Sequence, residues 1–380
     1  MSRILIISDN NSAWTEKAVT HSGVLENNEV YALTIGETKN DRFYLDNGIK
    51  ICRVKRHEAF NKIPKVRGLV YYADYINYIK SLQKKVGEFD VVHISYVSKE
   101  KVLAIKYLRK FAKKIVCTFW GSDLFRAGDK QLLKYKKNLE SADVIMLTTS
   151  EMKRKFRSVF GGGFDNKIRI IRFGIENLDF IDPGKDSAEF KEYFSYPAQK
   201  TVVTVGYNGS PAQNHTDVID LCAKLPDNIK SKIFLQLPLN YGLTEEYKQT
   251  LLQKLKSCGC EYGLSEPYLD GEQTGKLRQS SDIFIHAQKT DGFSASLQEY
   301  LYARKTVFNP AWLPYEELKA NGAYYFEYSD YDDLYEKLKE YLQNGPDKDE
   351  KDKLALNSKI IKELSSWGSV KDSWASLYRI

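Results

Sequence analysis

At 380 residues the chain exceeds one typical domain, and size alone predicts two domains of about 180 residues, each able to bury its own core. Hydrophobic residues make up 42% and charged residues 28%, an ordinary balance for a soluble enzyme, and no apolar run approaches the roughly 18 residues that cross a bilayer. The net charge of +7 conceals an asymmetry: residues 1–180 carry 33 Lys and Arg against 20 Asp and Glu, the remainder 24 against 30, so the basic first half suits an anionic partner such as a phospholipid surface, a lipid diphosphate or nucleic acid.

The chain enters its first strand at Arg3–Ser8 with no basic stretch or cleavage site before it, and a cytoplasmic protein is expected. Short apolar strands then alternate with helical stretches at Ile4–Ile7, Val30–Leu33, Ile49–Arg53, Val91–Ile94, Ile115–Thr118, Val144–Leu147 and Ile168–Ile171. That alternation predicts a doubly wound parallel sheet. Turn signals at Asp182-Pro183-Gly184 and Tyr196-Pro197 place a linker over 181–199, after a first domain of 1–180. A second α/β domain follows over 200–358, with strands at Thr201–Val205, Ile233–Leu237, Ile283–His286, Thr306–Phe308 and Ala323–Phe326. The last segment, 359–380, spaces Trp367, Trp374, Leu377 and Tyr378 for a helix with one buried face. The five cysteines are odd in number and scattered, which argues against a disulfide framework and for a reducing compartment; Cys258-Gly259-Cys260 lacks the second pair that a zinc site needs.

Candidate sites cluster after strands. After the first strand come Asp9, Asn10, Asn11 and Trp14, and after Val91-Val92 come His93 and Tyr96; His93 falls inside the apolar pattern and reads as structural. Phe119-Trp120-Gly121-Ser122-Asp123 sits at the C-terminal end of its strand, where open α/β sheets bind ligands. Trp120 there either stacks on a sugar or packs under the loop. Asp123 either orients a hydroxyl or caps the helix that follows. Thr201 to Val205 runs into Gly206-Tyr207-Asn208-Gly209-Ser210, with His215 beyond, a strand entering a glycine-containing phosphate-type loop. Asp291-Gly292-Phe293-Ser294-Ala295-Ser296-Leu297-Gln298-Glu299 joins a strand to a helix. The N–H groups of 293–296 and the helix dipole favour an anion such as a pyrophosphate there. Asp291 and Glu299, about 12 Å apart if the segment is helical, would reach different parts of one ligand. Asp330-Tyr331-Asp332 matches a metal-binding pattern superficially but reads as a helix start, so no metal is expected.

The stretch His286 to Leu301 resembles the E-x7-E segment of retaining glycosyltransferases of the GT-B fold, family 4, with Asp291 in the first acidic position. Residues 201–210 resemble the opening of the donor domain, and 119–123 the His-Gly-x-Asp segment, with Trp120 in the place of the His. The resemblance implies two Rossmann-like domains facing a cleft and a C-terminal helix, after Ser366-Trp367-Gly368, that crosses back to the first. It implies an enzyme that moves a sugar from a nucleoside diphosphate sugar, a UDP-sugar, to a glycan or polyprenyl-linked glycan, as in bacterial surface polysaccharide assembly, with no cofactor. By it, Asp291 and Asp123 are catalytic candidates, Asp291 beside the donor sugar. Asn208, Gly209, Ser210, His215, Tyr268, Lys289, Gly292, Phe293, Ser294, Ala295, Ser296 and Glu299 line the donor, with Glu299 on the ribose. Asn10, Asn11, Trp14, His93, Trp120, Gly121 and Ser122 face the acceptor. The Arg and Lys that the family uses on the diphosphate are absent; His215 stands near one of these positions and Lys289 is a replacement for the charge. If the reaction inverts, as in fucosamine-type transferases that the Asn-Gly loop resembles, Asp123 or Asp9 is the base. A GT-B-like epimerase and a binding subunit without turnover are the other readings. A dinucleotide enzyme is disfavoured, since Ser8 to Trp14 holds no glycine. Basic clusters at 53–57, 62–67, 109–114 and 153–157, interleaved with Phe60, Tyr71, Tyr72, Tyr107, Phe111 and Phe156, suit peripheral contact with an anionic membrane. No nucleic-acid motif accompanies them.

Overall fold

The computed structural model describes residues 1–9, 11–55 and 64–380, with the backbone alone at 64–68. Asn10, Arg56, His57, Phe60 and Lys62 from the sequence reading lie outside the described residues. Two compact units result: Met1–Gly174 together with Trp367–Ile380, and Ile175–Ser366.

The first unit holds seven strands: β1 (Ser2–Ile7), β2 (Asn28–Ile35), β3 (Lys50–Val54), β4 (Phe89–Ser95), β5 (Ala112–Thr118), β6 (Val144–Leu147) and β7 (Ile168–Ile170). All pair in parallel in the order β3-β2-β1-β4-β5-β6-β7. Alternation decides the faces: Leu5 and Ile7 point into one core with Val92, Ile94 and the helices at 64–86, 99–108 and 150–160, whereas Ile4 and Ile6 point into the other with Val91 and Val116. Trp367, Val370, Trp374, Leu377 and Tyr378 complete that second core. The returning helix, Trp367–Ser376, is fastened by Trp374 Nε1 donating to the Arg172 carbonyl (2.7 Å) and by Lys114 Nζ donating to the carbonyls of Ser376 (3.3 Å) and Arg379 (2.7 Å). Gly174 lies flat against it: a Cβ there would come within 2.3 Å of the Trp367 ring.

The second unit has six strands: β8 (Thr201–Val205), β9 (Ile233–Pro238), β10 (Glu261–Ser265), β11 (Ile283–Ile285), β12 (Thr306–Pro310) and β13 (Phe326–Tyr328). These too are parallel, in the order β10-β9-β8-β11-β12-β13.

Several expectations shift. The first unit ends at Gly174 rather than 180, and 181–199 is not a free linker. Ile175 and Leu178 join the second unit's core. The helix Ser187–Tyr193 is held by Lys191 pairing with Asp282 (2.7 Å) and by Ser187 Oγ donating to the same carboxylate (3.0 Å). Residues 359–366 stay in the second unit, since the helix Glu350–Ser365 runs through them; only Trp367 onward returns. β10 has no counterpart among the expected strands: it is a half-exposed edge strand with a glycine and weak alternation. Asp330 caps the helix Tyr331–Asn344 by accepting from Asp333 N at 2.9 Å, the helix start read from its sequence.

Candidate active site

In each sheet the connections reverse direction once, between β8 and β11 in the second unit and between β1 and β4 in the first. The loops beyond the C-terminal ends of those strand pairs are where an open α/β sheet leaves a crevice.

In the second unit, Gly206 N donates to Ile285 O (3.2 Å), Asn214 Nδ2 to Ala287 O (2.7 Å) and Lys289 N to Ala212 O (3.1 Å). Tyr207 OH donates to Gln288 Oε1 at 2.6 Å. The loop after β8 and the loop after β11 are thereby sewn together, and the exposed Lys289 stands beside the 208–214 turn. Within the turn Asn208 Oδ1 accepts from Ser210 N (2.9 Å), and Ser210 Oγ accepts from Ala212 N (3.3 Å). Gly209 backs onto Leu243, whose backbone a Cβ would reach at 2.8 Å.

His215 is not where a phosphate ligand is expected. It is fully buried, with Nδ1 against Tyr247 OH (3.2 Å) and Nε2 packed under Gly206, 2.8 Å from where a Cβ would lie. Burial drops its pKa to about 4, so it is a neutral support that dictates glycine at 206, which also has φ +66°. Tyr268 is 81% exposed, away from the hydrogen bonds that join these loops.

The second loop opens the helix Ala295–Tyr302, whose N-cap Ser294 accepts from Leu297 N at 3.1 Å. Asp291 lies ahead of it, held from two sides: Oδ1 accepts from Gly292 N (2.7 Å) and Oδ2 from Tyr315 OH (3.0 Å). Behind it, the buried His286 donates from Nδ1 to Asn309 Oδ1 (3.0 Å), the tautomer fixed because the Asn309 amide itself donates to Pro310 O and Leu313 O. His286 Nε2 faces Asp291 Oδ2 at 4.0 Å and has no hydrogen-bond partner among the described residues. Burial holds this histidine below its ordinary pKa, against the pull of Asp291. Tyr315 was not singled out by the sequence; it follows Pro314 and sits at φ +35°, buried against this site.

Glu299 departs from the ribose contact expected of it. It is 3% exposed, Oε2 accepts from Arg278 Nε and Oε1 from Asn177 Nδ2, both at 2.8 Å. Arg278 also donates to Tyr300 OH and Ser296 Oγ, each at 3.2 Å, and stacks over the Tyr300 ring. The carboxylate pins the helix that carries the loop, with both oxygens engaged by protein.

In the first unit, Asp123 is likewise committed. Oδ2 accepts from Val97 N (2.8 Å) and Oδ1 from Trp120 N (2.8 Å) and Gly121 N (3.1 Å). It clamps two loops together, and a base or hydroxyl-orienting role does not fit it. Burial pushes its pKa up to about 6 against those donors. His93 is buried between Tyr378 OH (2.9 Å at Nδ1) and Thr118 Oγ1 (2.7 Å at Nε2), a support for the returning helix rather than an acceptor contact. Trp120 is partly buried, its Nε1 donating to Ser95 Oγ at 3.0 Å. Ser122 Oγ donates weakly to Tyr96 OH (3.4 Å), and Asn11 Oδ1 accepts from Lys39 N (2.5 Å). Trp14 stays 52% exposed. The basic helix Ser150–Phe160 turns its apolar side, Met152, Phe156 and Phe160, into the core, while Lys155 and Arg157 pair with Asp129 and Asp165. No helix among the described residues is long and apolar enough to cross a membrane.

Residues 3–150 match the family model described as "Glycosyl transferase 4-like". Solved structures share the fold. The glycosyltransferase of Rickettsia africae superposes with a TM-score of 0.79 at 14% identity, covering 99% of this chain and 97% of that one. HepE of Anabaena, solved with UDP and glucose, gives 0.71 at 13%, covering 99% of each chain. The sucrose-phosphate synthase of Thermosynechococcus elongatus gives 0.71 at 15%, covering 100% of this chain and 98% of that one. These structures carry the fold, GT-B; the family match carries the class. The chain has the GT-B fold, and its first domain is glycosyltransferase 4-like over residues 3–150. No curated protein matches its sequence.

Proposed function

We propose that the enzyme transfers a sugar from a UDP-sugar to a saccharide or lipid-linked saccharide, with the donor bound in the second unit between the loops at 206–214 and 286–296. The observation that carries this reading is the sewing of those two loops at the strand-order switch, which sets Asp291 beside a helix N-terminus and Lys289 beside the Asn208–Ser210 turn. HepE, of the same fold, was solved with UDP-glucose, which supports the choice of donor.

Breaking the sugar–phosphate bond concentrates negative charge on the leaving diphosphate and positive charge on the anomeric carbon. The helix dipole at Ser294–Ser296 and the Lys289 ammonium oppose the first. Asp291, held by Tyr315, is the group we assign to a donor-sugar hydroxyl. We read the reaction as retaining, the leaving phosphate oxygen taking the acceptor proton, so that no protein base is required. If it inverts, Asp9 is the base, because Asp123 is spent on three amides. The basic first unit supports electrostatic contact with anionic membrane lipid, without insertion of the 150–160 helix, and such binding to liposomes falls steeply with salt.

One assay separates the rivals: a panel of UDP-sugars is incubated with mixed glycan acceptors, and UDP release and sugar isomerisation are both followed. Transfer predicts acceptor-dependent UDP release, lowered at least a hundredfold in Asp291→Asn. Isomerisation without UDP release would make the protein an epimerase, and binding without consumption an inactive subunit.

A further inference from the structure

His286 follows directly on the apolar run of β11, a polar ring set in an aromatic box. Phe284 lies at 5.8 Å and 24° from it, Tyr315 at 6.0 Å and 20°, and Tyr207 at 6.2 Å and 34°. Its carbonyl accepts from Tyr328 OH at 2.8 Å, and its Nδ1–H is spent on Asn309 Oδ1. The ring is thus held in one orientation and one tautomer. Nε2 is left as a lone pair, shut off from solvent and without a hydrogen-bond partner among the described residues, 4.0 Å from Asp291 Oδ2. Buried polar atoms are nearly always paired, so an orphan aimed at a carboxylate needs a reason.

Two acceptors face each other here, an unfavourable pairing as it stands. One proton on Nε2 turns it into a charge-assisted hydrogen bond, about 2.8 Å long once the two groups close by roughly 1.2 Å. Burial opposes that proton, while Asp291 and the Gln288 side chain favour it. The other ionisable groups that face the ring are Tyr207 from the loop after β8, Tyr315 from the loop after β12 and Tyr328 from β13. Burial pushes each of these phenols above its ordinary pKa, so they stay protonated through neutral pH and leave the histidine and Asp291 as the pair that exchanges a proton.

We propose that His286 is a positioning residue for Asp291, taking a proton from solvent at Nε2 when an anion seats at the Ser294–Ser296 helix start and returning it when the anion leaves. This deepens the donor reading of the second unit and rests on it for the identity of the anion. A diphosphate brings negative charge to a place where a carboxylate already stands, and like charges at close range oppose binding unless a cation joins them. Lys289 is exposed, so its charge is screened by solvent and salt. An imidazolium behind Asp291 is buried and is screened much less. It also keeps Asp291 ionised, the form that accepts from a sugar hydroxyl.

The test is ring-nitrogen NMR on the full chain carrying isotope-labelled histidine, of which there are 5. The His286 signal is the one lost in His286→Gln. The probe is UDP-glucose, whose diphosphate diester neither gives nor takes a proton near neutral pH. The proposal expects the Nδ1–H tautomer in mild alkali. The protonation midpoint should fall by about one pH unit or more in Asp291→Asn, and rise by about one unit when UDP-glucose is bound. A midpoint indifferent to Asp291→Asn, or one that stays put while UDP-glucose is bound, would overturn it. If His286→Gln does not fold, the signal is the one that moves in Asp291→Asn, and the absence of any moving signal overturns the proposal equally. Dependence on Asp291 with no response of any signal to UDP-glucose would uphold the pair and remove the donor reading instead.

Discussion

Glu299 and Arg278 show at the residue scale how a motif position can change employment. The D-x7-E spacing was legible in the sequence, and so was the helix start that carries it. The Arg278 partner was not, because the two residues lie on different helices 21 positions apart and only folding brings them to 2.8 Å. Nor did the sequence mark Tyr315 as the partner of Asp291, since a left-handed tyrosine is set by tertiary packing. A buried ion pair is costly to break from one side. Glu299→Gln leaves the Arg278 charge uncompensated and is expected to lower stability by about 3–5 kcal/mol, read by urea unfolding. A loss below about 1 kcal/mol would mean that Glu299 is free to serve a ligand.

At the element scale, the β8-to-helix junction is built from one close contact. Gly206 has φ +66° and sits over His215 Nε2. Gly206→Ala adds a strained φ, about 1 kcal/mol, and a contact at 2.8 Å that displaces the 206–210 turn. The expected outcome is a stability loss of about 2–3 kcal/mol and a UDP affinity at least tenfold weaker, read by titration calorimetry. The glycine was visible in the sequence as part of a phosphate-type loop. Its reason was not, because His215 reads equally as a ligand until its ring is seen beneath the strand end. Strands with continuous apolar runs, such as Ile4–Ile7 and Ile283–Ile285, were legible because both faces are buried; the edge strand β10 was not, because one side of it meets solvent.

For the whole molecule, acid sensitivity is unevenly shared. His93 and His215 titrate near 4 when folded, held down by burial, against an unfolded value of about 6.5. Each therefore withdraws stability as pH falls from 6.5 toward 4, about 2 kcal/mol by pH 5. In the first unit Asp123 acts in the opposite sense: its folded value near 6 exceeds the unfolded one, so protonation on acidification returns about 1 kcal/mol by pH 5. In the second unit His286 is also held down and adds to the loss from His215. Hydrogen exchange resolved by peptide should show residues 175–366 losing more protection than 1–174 between pH 7 and pH 5, after correction for intrinsic rates. Equal losses would contradict the assignment of these burial effects.

The division into two α/β units was legible from strand alternation, while its boundaries were not. Residues 181–199 look like a linker by their turn signals, yet Phe190 is buried and Lys191 pairs with Asp282 far along the chain. The central claim is that the second unit binds a nucleoside diphosphate at the sewn loops, and isothermal titration tests it most directly. UDP, GDP, dTDP, CMP and NAD would be titrated into the wild type and into Lys289→Glu, a substitution at an exposed side chain that should leave the fold intact. The account predicts binding of UDP in preference to NAD, weakened about tenfold or more by the charge reversal, or about 1.4 kcal/mol. Binding of NAD alone, or UDP binding indifferent to Lys289→Glu, would contradict it.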